Sequence, residues 1–214
     1  MILPLGRVRR ALIVAPHPDD ETIGCAALIL RLRRRGARVD IVIVTDGGAS
    51  HRNSATFPRA RLVATRAAEA RRAAMLLGVS AARLHLLALP DGGLDTLARA
   101  ARFRLVRRLA QFRADLVAMP LPDDAHPDHR DTAAACHRRH GWTRRIGYGV
   151  WPGRGGGRAT HRLPLGEDRQ RKATALAAHA TQLGRITDDP AGFVIDAATR
   201  RRFLSPHESY RVLP

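Results

Sequence analysis

Short apolar runs alternate with longer helical stretches along this chain, and that alternation constrains the fold more than any other feature. Ala11–Ala15 is wholly apolar and stops at Pro16; Val39–Val44 is largely β-branched. Leu84–Leu89 and Leu116–Met119 complete four strand-type runs, with Arg145–Trp151 as a fifth candidate and Phe193–Ile195 as an extra one. Between them the periodicity is helical. Glu21–Arg35 carries Ile23, Ala27, Leu28 and Leu32 on one face before Gly36, and Arg59–Leu77 ends at Gly78. Leu94–Leu109, Asp131–His140 and Asp168–Leu183 read the same way, and Gly153–Gly157 reads as a loop. The pattern implies an α/β fold in three layers: a mainly parallel sheet, right-handed crossovers and helices on both faces. Ligands in such sheets bind outside the carboxyl ends of the strands, so polar residues just after a strand become site candidates.

Composition narrows the class. The 214 residues suit one domain spanning 1–214, and a 45% hydrophobic content excludes global disorder. No apolar run reaches eighteen residues, so no membrane span is expected. The start, Met1 to Gly6, lacks the marks of a signal peptide, and Cys25 and Cys136 are too few for a disulfide scaffold, so a reduced cytoplasmic setting is expected. Lys and Arg number 37 against 19 acidic residues, for a net charge of +18, yet Lys172 is the only lysine. So lopsided a basic set reads as an arginine-favouring coding bias. The runs Arg31–Arg35, Arg71–Arg72, Arg107–Arg108 and Arg200–Arg202 are scattered on helical segments without interleaved aromatics. Solvated helix faces account for them better than a specific nucleic-acid partner.

Two segments stand where the strand rule places a site. Pro16-His17-Pro18-Asp19-Asp20-Glu21 follows the first strand, and Pro120 to His129, ending His126-Pro127-Asp128-His129, follows the fourth. Two imidazoles and a carboxylate suit a zinc ion with an open position, where water is acidified towards neutrality. His17 and Asp20 lie three apart at a helix entrance, and one histidine of the second segment would complete the set. Asp19 is placed to act as a base, and the other histidine to stabilise or protonate what leaves.

At these residues the chain resembles the PIG-L/LmbE-like family of zinc-dependent N-deacetylases. The resemblance implies a Rossmann-like fold, His17, Asp20 and His129 as zinc ligands, Asp19 as general base, His126 as the group polarising the scissile carbonyl, and Asp128 as its orienter. It extends to Arg66-Ala67-Ala68-Glu69 with Leu77-Gly78, to the turn Pro90-Asp91-Gly92, and to the stretch Lys172–Gln182 with His179. It thereby implies Arg66, Asp91 and His179 as substrate contacts. The expected reaction is removal of an N-acetyl group from an amino-sugar conjugate. The alternatives are an amidase for a larger acyl or thiol-conjugate amide, and a non-catalytic polyanion-binding protein. The same ligands also accept ferrous iron.

Plainer readings exist for several of these residues. A helix cap explains one carboxylate but no histidine. Glu21 reads as a first-turn residue complementing the helix dipole, Asp123 and Asp124 as solvated loop residues, and Arg66 with Glu69 as a surface ion pair or a substrate contact. His179 suits packing as well as it suits substrate. His51 carries no usable spacing, and the two cysteines read as small buried hydrophobes.

Overall fold

The structure is a computed structural model that describes residues 1–137, 144–151 and 159–214. Gly153–Gly157 and the expected helix end at His140 lie outside the described residues. Among the described residues seven strands form one sheet: β1 (Arg10–Ala15), β2 (Arg38–Thr45), β3 (Leu84–Leu89), β4 (Leu116–Pro120), β5 (Arg145–Tyr148), β6 (His161–Pro164) and β7 (His207–Leu213). Their spatial order is β3-β2-β1-β4-β5-β7-β6. The first five are parallel, while β7 runs antiparallel to β5 and to β6. The helices are α1 (Asp20–Arg34), α2 (Arg59–Leu76), α3 (Arg99–Ala110), α4 (Pro127–His137), α5 (Asp168–Ala177) and α6 (Ala197–Phe203).

Alternate strand residues feed two cores. Ala11, Ile13, Ile41, Ile43 and Ala118 pack with Leu28 of α1, Ala70 and Ala74 of α2 and Leu176 of α5. Leu12, Val14, Val42, Val44 and Val117 pack with Leu105 and Leu109 of α3 and with Ala135 and Cys136 of α4. Burial on both faces explains why the strand sequences are apolar throughout rather than alternating. Strand order reverses at β1: β2 and β3 extend to one side, β4 and β5 to the other. The crevice at such a switch point is where doubly wound sheets place ligands, and here it lies between the loops leaving β1 and β4.

Several boundaries differ from the sequence reading, each for a local reason. The third helix starts at Arg99, not Leu94, because Gly92 and Leu94 donate their N–H groups to the Asp128 carboxylate at 2.8 and 3.1 Å. The helix from Asp168 stops at Ala177, and a 3₁₀ turn, Ala180–Leu183, follows; Glu69 takes the N–H and hydroxyl of Thr181 there. The fifth strand ends at Tyr148, short of Trp151. Phe193–Ile195 forms no strand: Phe193 N–H donates to Ser50 and Ile195 N–H to Gln182, so this segment is pinned as a loop over the crevice. Strands β6 and β7 and helix α6 had no counterpart in the sequence reading.

Strand β7 matters to the site through α1. Its buried Glu208 accepts the N–H groups of Ala27 and Leu28, the Lys172 ammonium at 2.8 Å and the Tyr210 hydroxyl at 2.6 Å. Lys172 also reaches the carbonyl of Ile23, and Tyr210 that of Gly24. The middle of α1 is thus held by side chains from α5 and β7, which fixes the helix whose first turn carries Asp20.

Candidate active site

The loop after β1 enters α1 through His17, Asp19 and Asp20, and the loop after β4 enters α4 through His126, Asp128 and His129. The two loops meet. His17 Nδ1, His129 Nε2 and one oxygen of Asp20 form a triangle with sides of 3.2, 3.2 and 3.3 Å. Ligands about 2.0–2.2 Å from a tetrahedral zinc stand roughly 3.3–3.6 Å apart, so these three atoms have the spacing of such a set. Two further groups, His17–His126–His129 and His17–Asp91–Asp128, also have donor atoms within 4.8 Å of one another. In the second, Asp91 and Asp128 face Nε2 of His17, the ring nitrogen that the triangle does not use.

The outer nitrogens of both histidines meet carboxylates. His17 Nε2 lies 3.1 Å from Asp91 and 3.2 Å from Asp128, and Asp124 stands 3.2 Å from His129 Nδ1. A carboxylate behind a histidine fixes its tautomer and strengthens it as a ligand. Asp124 is fully buried, which overturns its reading as a solvated loop residue. It accepts the N–H of His126 at 2.9 Å and is tied down by the loop itself. Asp123 is half-buried and accepts two hydrogen bonds from the Arg211 guanidinium.

The electrostatics describe a pocket that favours cations. Burial lowers the His17 pKa, but hydrogen bonds to Asp128, Asp20 and Asp91 outweigh it and hold it well above the usual imidazole value. His129 is pushed up to about 9: burial opposes the shift, and the charge of Asp20 with contacts to Asp124 and Asp20 drives it. Burial would raise Asp20, yet the two imidazoles keep its carboxyl well below the ordinary range. Asp91 is held at about 2, against burial, by His17 and the Ala49 N–H. Protons on the imidazoles would here stand in for a positive ion, which would displace them on binding. The donor set, the spacing and the carboxylates behind it all fit a divalent metal.

Asp19 lies beside the triangle but points elsewhere, to Arg66 Nη2 at 3.3 Å. Burial pushes its pKa up to about 6, with Arg66 pulling the other way. Arg66 is buried and also bonds the carbonyls of Gly47 and Pro18. Gly47, at φ +67°, makes room for it, since a Cβ there would sit 2.6 Å from the guanidinium. The surface pairing of Arg66 with Glu69 is therefore not what forms; Glu69 binds Thr181. Glu21 is buried too, accepting the Asp19 N–H at 3.1 Å and the Thr22 hydroxyl at 2.8 Å, with His179 at 3.5 Å. It backs Asp19 from below, a contact that the dipole reading did not foresee. His179 is fully buried behind it and does not line the cavity.

His126 is partly exposed, its ring 4.7 Å from that of His17. Burial and the neighbouring His17 and His129 lower its pKa, which favours the neutral ring. Its Nδ1 accepts the backbone N–H of Asp128 at 3.2 Å, which leaves the ring proton on Nε2. Asp128 thus meets His126 through its backbone, while its carboxylate holds His17 and the turn at Gly92 and Leu94. Asp128, implied by the family resemblance as the residue that orients His126, meets that ring through its backbone N–H, and its carboxylate is turned to His17. These groups open into a cavity of about 890 Å³, lined among others by His17, Asp19, Arg66, Asp91 and His126.

A family model described as PIG-L, GlcNAc-PI de-N-acetylase, matches residues 12–139, more than half of the chain. The chain belongs to the PIG-L family. Among relatives of this PIG-L protein, a diacetylchitobiose deacetylase of Thermococcus kodakarensis is 33% identical over 130 residues, covering 59% of this chain and 47% of that one. A probable N-acetyl-alpha-D-glucosaminyl L-malate deacetylase 2 of Bacillus anthracis is 32% identical over 131 residues, 59% of this chain and 57% of that one. The matches thus span about half the length of these curated relatives. The N,N'-diacetylchitobiose deacetylase of Pyrococcus horikoshii superposes with a TM-score of 0.78 at 22% identity, over 97% of this chain and 85% of the other. That likeness confirms the α/β sandwich and its mainly parallel sheet.

Proposed function

We propose that this PIG-L protein is a zinc-dependent hydrolase that removes the acetyl group from an N-acetylated amino-sugar conjugate. The observation that carries the reading is the triangle of His17, Asp20 and His129, with His17, Asp20 and the neighbouring Asp19 on the wall of one cavity. Deacetylation by its relatives, and their amino-sugar names, support the substrate class. Zinc, or ferrous iron in the same donor set, would supply a Lewis acid to acidify a water and polarise the amide carbonyl.

The remaining chemistry belongs to the chain. Asp19, largely ionised at neutral pH, takes the proton from the attacking water and returns it to the departing amine. Arg66 holds its carboxylate in place. His126, neutral with its proton on Nε2, donates a hydrogen bond to the oxygen that gains charge as the carbonyl is attacked. Asp128 and Asp91 set the ring of His17, and Asp124 that of His129. Asp91 and Arg66 reach the cavity wall and are the positions proposed for substrate contact; His179 acts from behind through Glu21. The same proposal takes residues 1–214 as one domain in a reduced, cytoplasmic setting, in which the buried thiols of Cys25 and Cys136 stay free. No helix among the described residues is long and apolar enough to cross a membrane.

The test is amine release from a panel of N-acetylamino sugars, with and without chelator, beside Asp19→Ala. Release that chelator stops and the variant lacks supports the reading. Bound metal without release from simple sugars would shift it to the larger acyl or thiol-conjugate amides. Neither metal nor release would move the protein to the polyanion-binding class.

A further inference from the structure

Small-molecule pockets run from about 300 to 1,000 Å³, and this cavity of about 890 Å³ stands near the top of that range. It has room for an acetamido sugar and a substantial attached group. The ionisable groups on its wall are nearly all engaged with one another. Arg66 binds Asp19 and two carbonyls, Asp20 and Asp91 face histidines, and His126 accepts a backbone N–H. Arg52 is different. It lines the same cavity, is exposed, and has no hydrogen bond or ion pair among the described residues.

Its position is specific. The guanidinium rests on the turn after β3, where a Cβ on Gly92 would stand 3.1 Å from Arg52 Nη2. Gly92, at φ +72°, donates its N–H to Asp128, which in turn touches His17. One backbone turn therefore separates an unpaired cation from the metal-binding cluster. Among the described residues Arg71 and Arg107 also lie exposed without a partner, but on helix faces; Arg52 lines the cavity that a substrate must fill. A guanidinium offers a planar fork of donors suited to carboxylate or phosphate oxygens. In a concave site its field is concentrated towards the ligand.

We propose that Arg52 forms an oxyanion subsite. The preferred substrates are then N-acetylamino-sugar conjugates whose attached group carries a carboxylate or phosphate, rather than neutral oligosaccharides. The assignment rests on the hydrolase reading above, which supplies the sugar end.

Three probes test it: N-acetylglucosamine 1-phosphate, the glycoside of N-acetylglucosamine with glycolic acid, and the methyl glycoside. Each is assayed with the wild type, Arg52→Met and Arg52→Lys. At least one acidic probe is expected to exceed the methyl glycoside in kcat/KM by about tenfold or more, mainly through KM. That ratio should collapse towards one in Arg52→Met and persist in part in Arg52→Lys. The stronger of the two acidic arms names the anion. Equal kcat/KM for all three probes in the wild type, or a preference that survives Arg52→Met, would overturn the subsite while leaving the hydrolase intact. Calorimetry with the three corresponding free amines reads the subsite without turnover. An Arg52-dependent preference there, with no amide cleaved, would keep the subsite and overturn the hydrolase reading.

Discussion

At the amino ends of the central strands, Asp40 sits among Arg38, Arg83 and His85, at 2.7, 3.5 and 3.3 Å. At the carboxyl ends, Asp19, Asp20, Asp91, Asp124 and Asp128 gather around three histidines and the guanidinium of Arg66. Both clusters join acids, imidazole and arginine across neighbouring strands of one sheet, yet they differ in balance and in depth. Around Asp40 the cations outnumber the carboxylate, and the side chains of Arg38 and Arg83 are 50% and 40% exposed. At the other end the carboxylates outnumber the paired cation, and Asp20, Asp128 and His129 are 2%, 0% and 0% exposed. Buried negative charge without enough fixed positive charge is costly unless something positive is supplied. An excess of buried carboxylates therefore marks a place for an ion, while a satisfied surface cluster marks none.

Removing a corner of the triangle is the hardest test of that contrast. His129→Ala should lower bound metal from about one per chain to near none and abolish amine release. Elemental analysis beside the activity assay checks it; full metal content in the variant would mean that the ion sits elsewhere. Asp19→Asn should separate metal from chemistry: metal content stays, and kcat falls by roughly 10²–10⁴-fold, the usual contribution of a positioned base. Loss of metal in that variant would place Asp19 among the ligands. A smaller effect belongs to Asp124→Asn, which leaves His129 in place without the charge behind it. Metal affinity should weaken by about 10–100-fold, read by competition with a chelator, with kcat at saturating metal changed less.

What the sequence displays and what it hides follow from the same physics. His17, Asp19, Asp20, His126, Asp128 and His129 were legible because their types and spacing have no cheaper explanation, and the apolar runs of β1 to β4 because burial on both faces leaves an unbroken signal. Asp124 was missed because a carboxylate in a loop is solvated by default, and only the fold shows it walled in beneath His129. Arg66 and Glu69 are close enough in sequence to pair, but tertiary partners, Asp19 and Thr181, took both. Strand β7, His-Glu-Ser-Tyr-Arg-Val-Leu, mixes polar and apolar residues because it lies towards the sheet's antiparallel edge, so no apolar run announced it. Lys172 was noted as the single lysine in an arginine-biased chain, and it is nearly fully buried, bonded to Glu208. The exception to a compositional bias proved to be an internal strut of α1.

The smallest effect is expected at the other end of the sheet. Asp40→Asn should leave metal content and amine release unchanged and cost about 0.5 kcal/mol of stability, since the arginines that meet Asp40 are half-exposed and screened by solvent. Burial by itself would raise the Asp40 pKa, but hydrogen bonds from Arg38 and His85 outweigh it and hold the carboxyl below its ordinary value. A carboxyl depressed in the folded state stabilises the protein fully above its unfolded value of about 3.9, and that contribution fades as pH falls through the folded value. Urea unfolding of wild type and variant should therefore show the gap at pH 7 and its narrowing well below pH 4. A gap that widened on acidification would mean that Asp40 is strained by its burial rather than satisfied by its arginines. The two ends of the sheet would then differ less than their charge balance indicates.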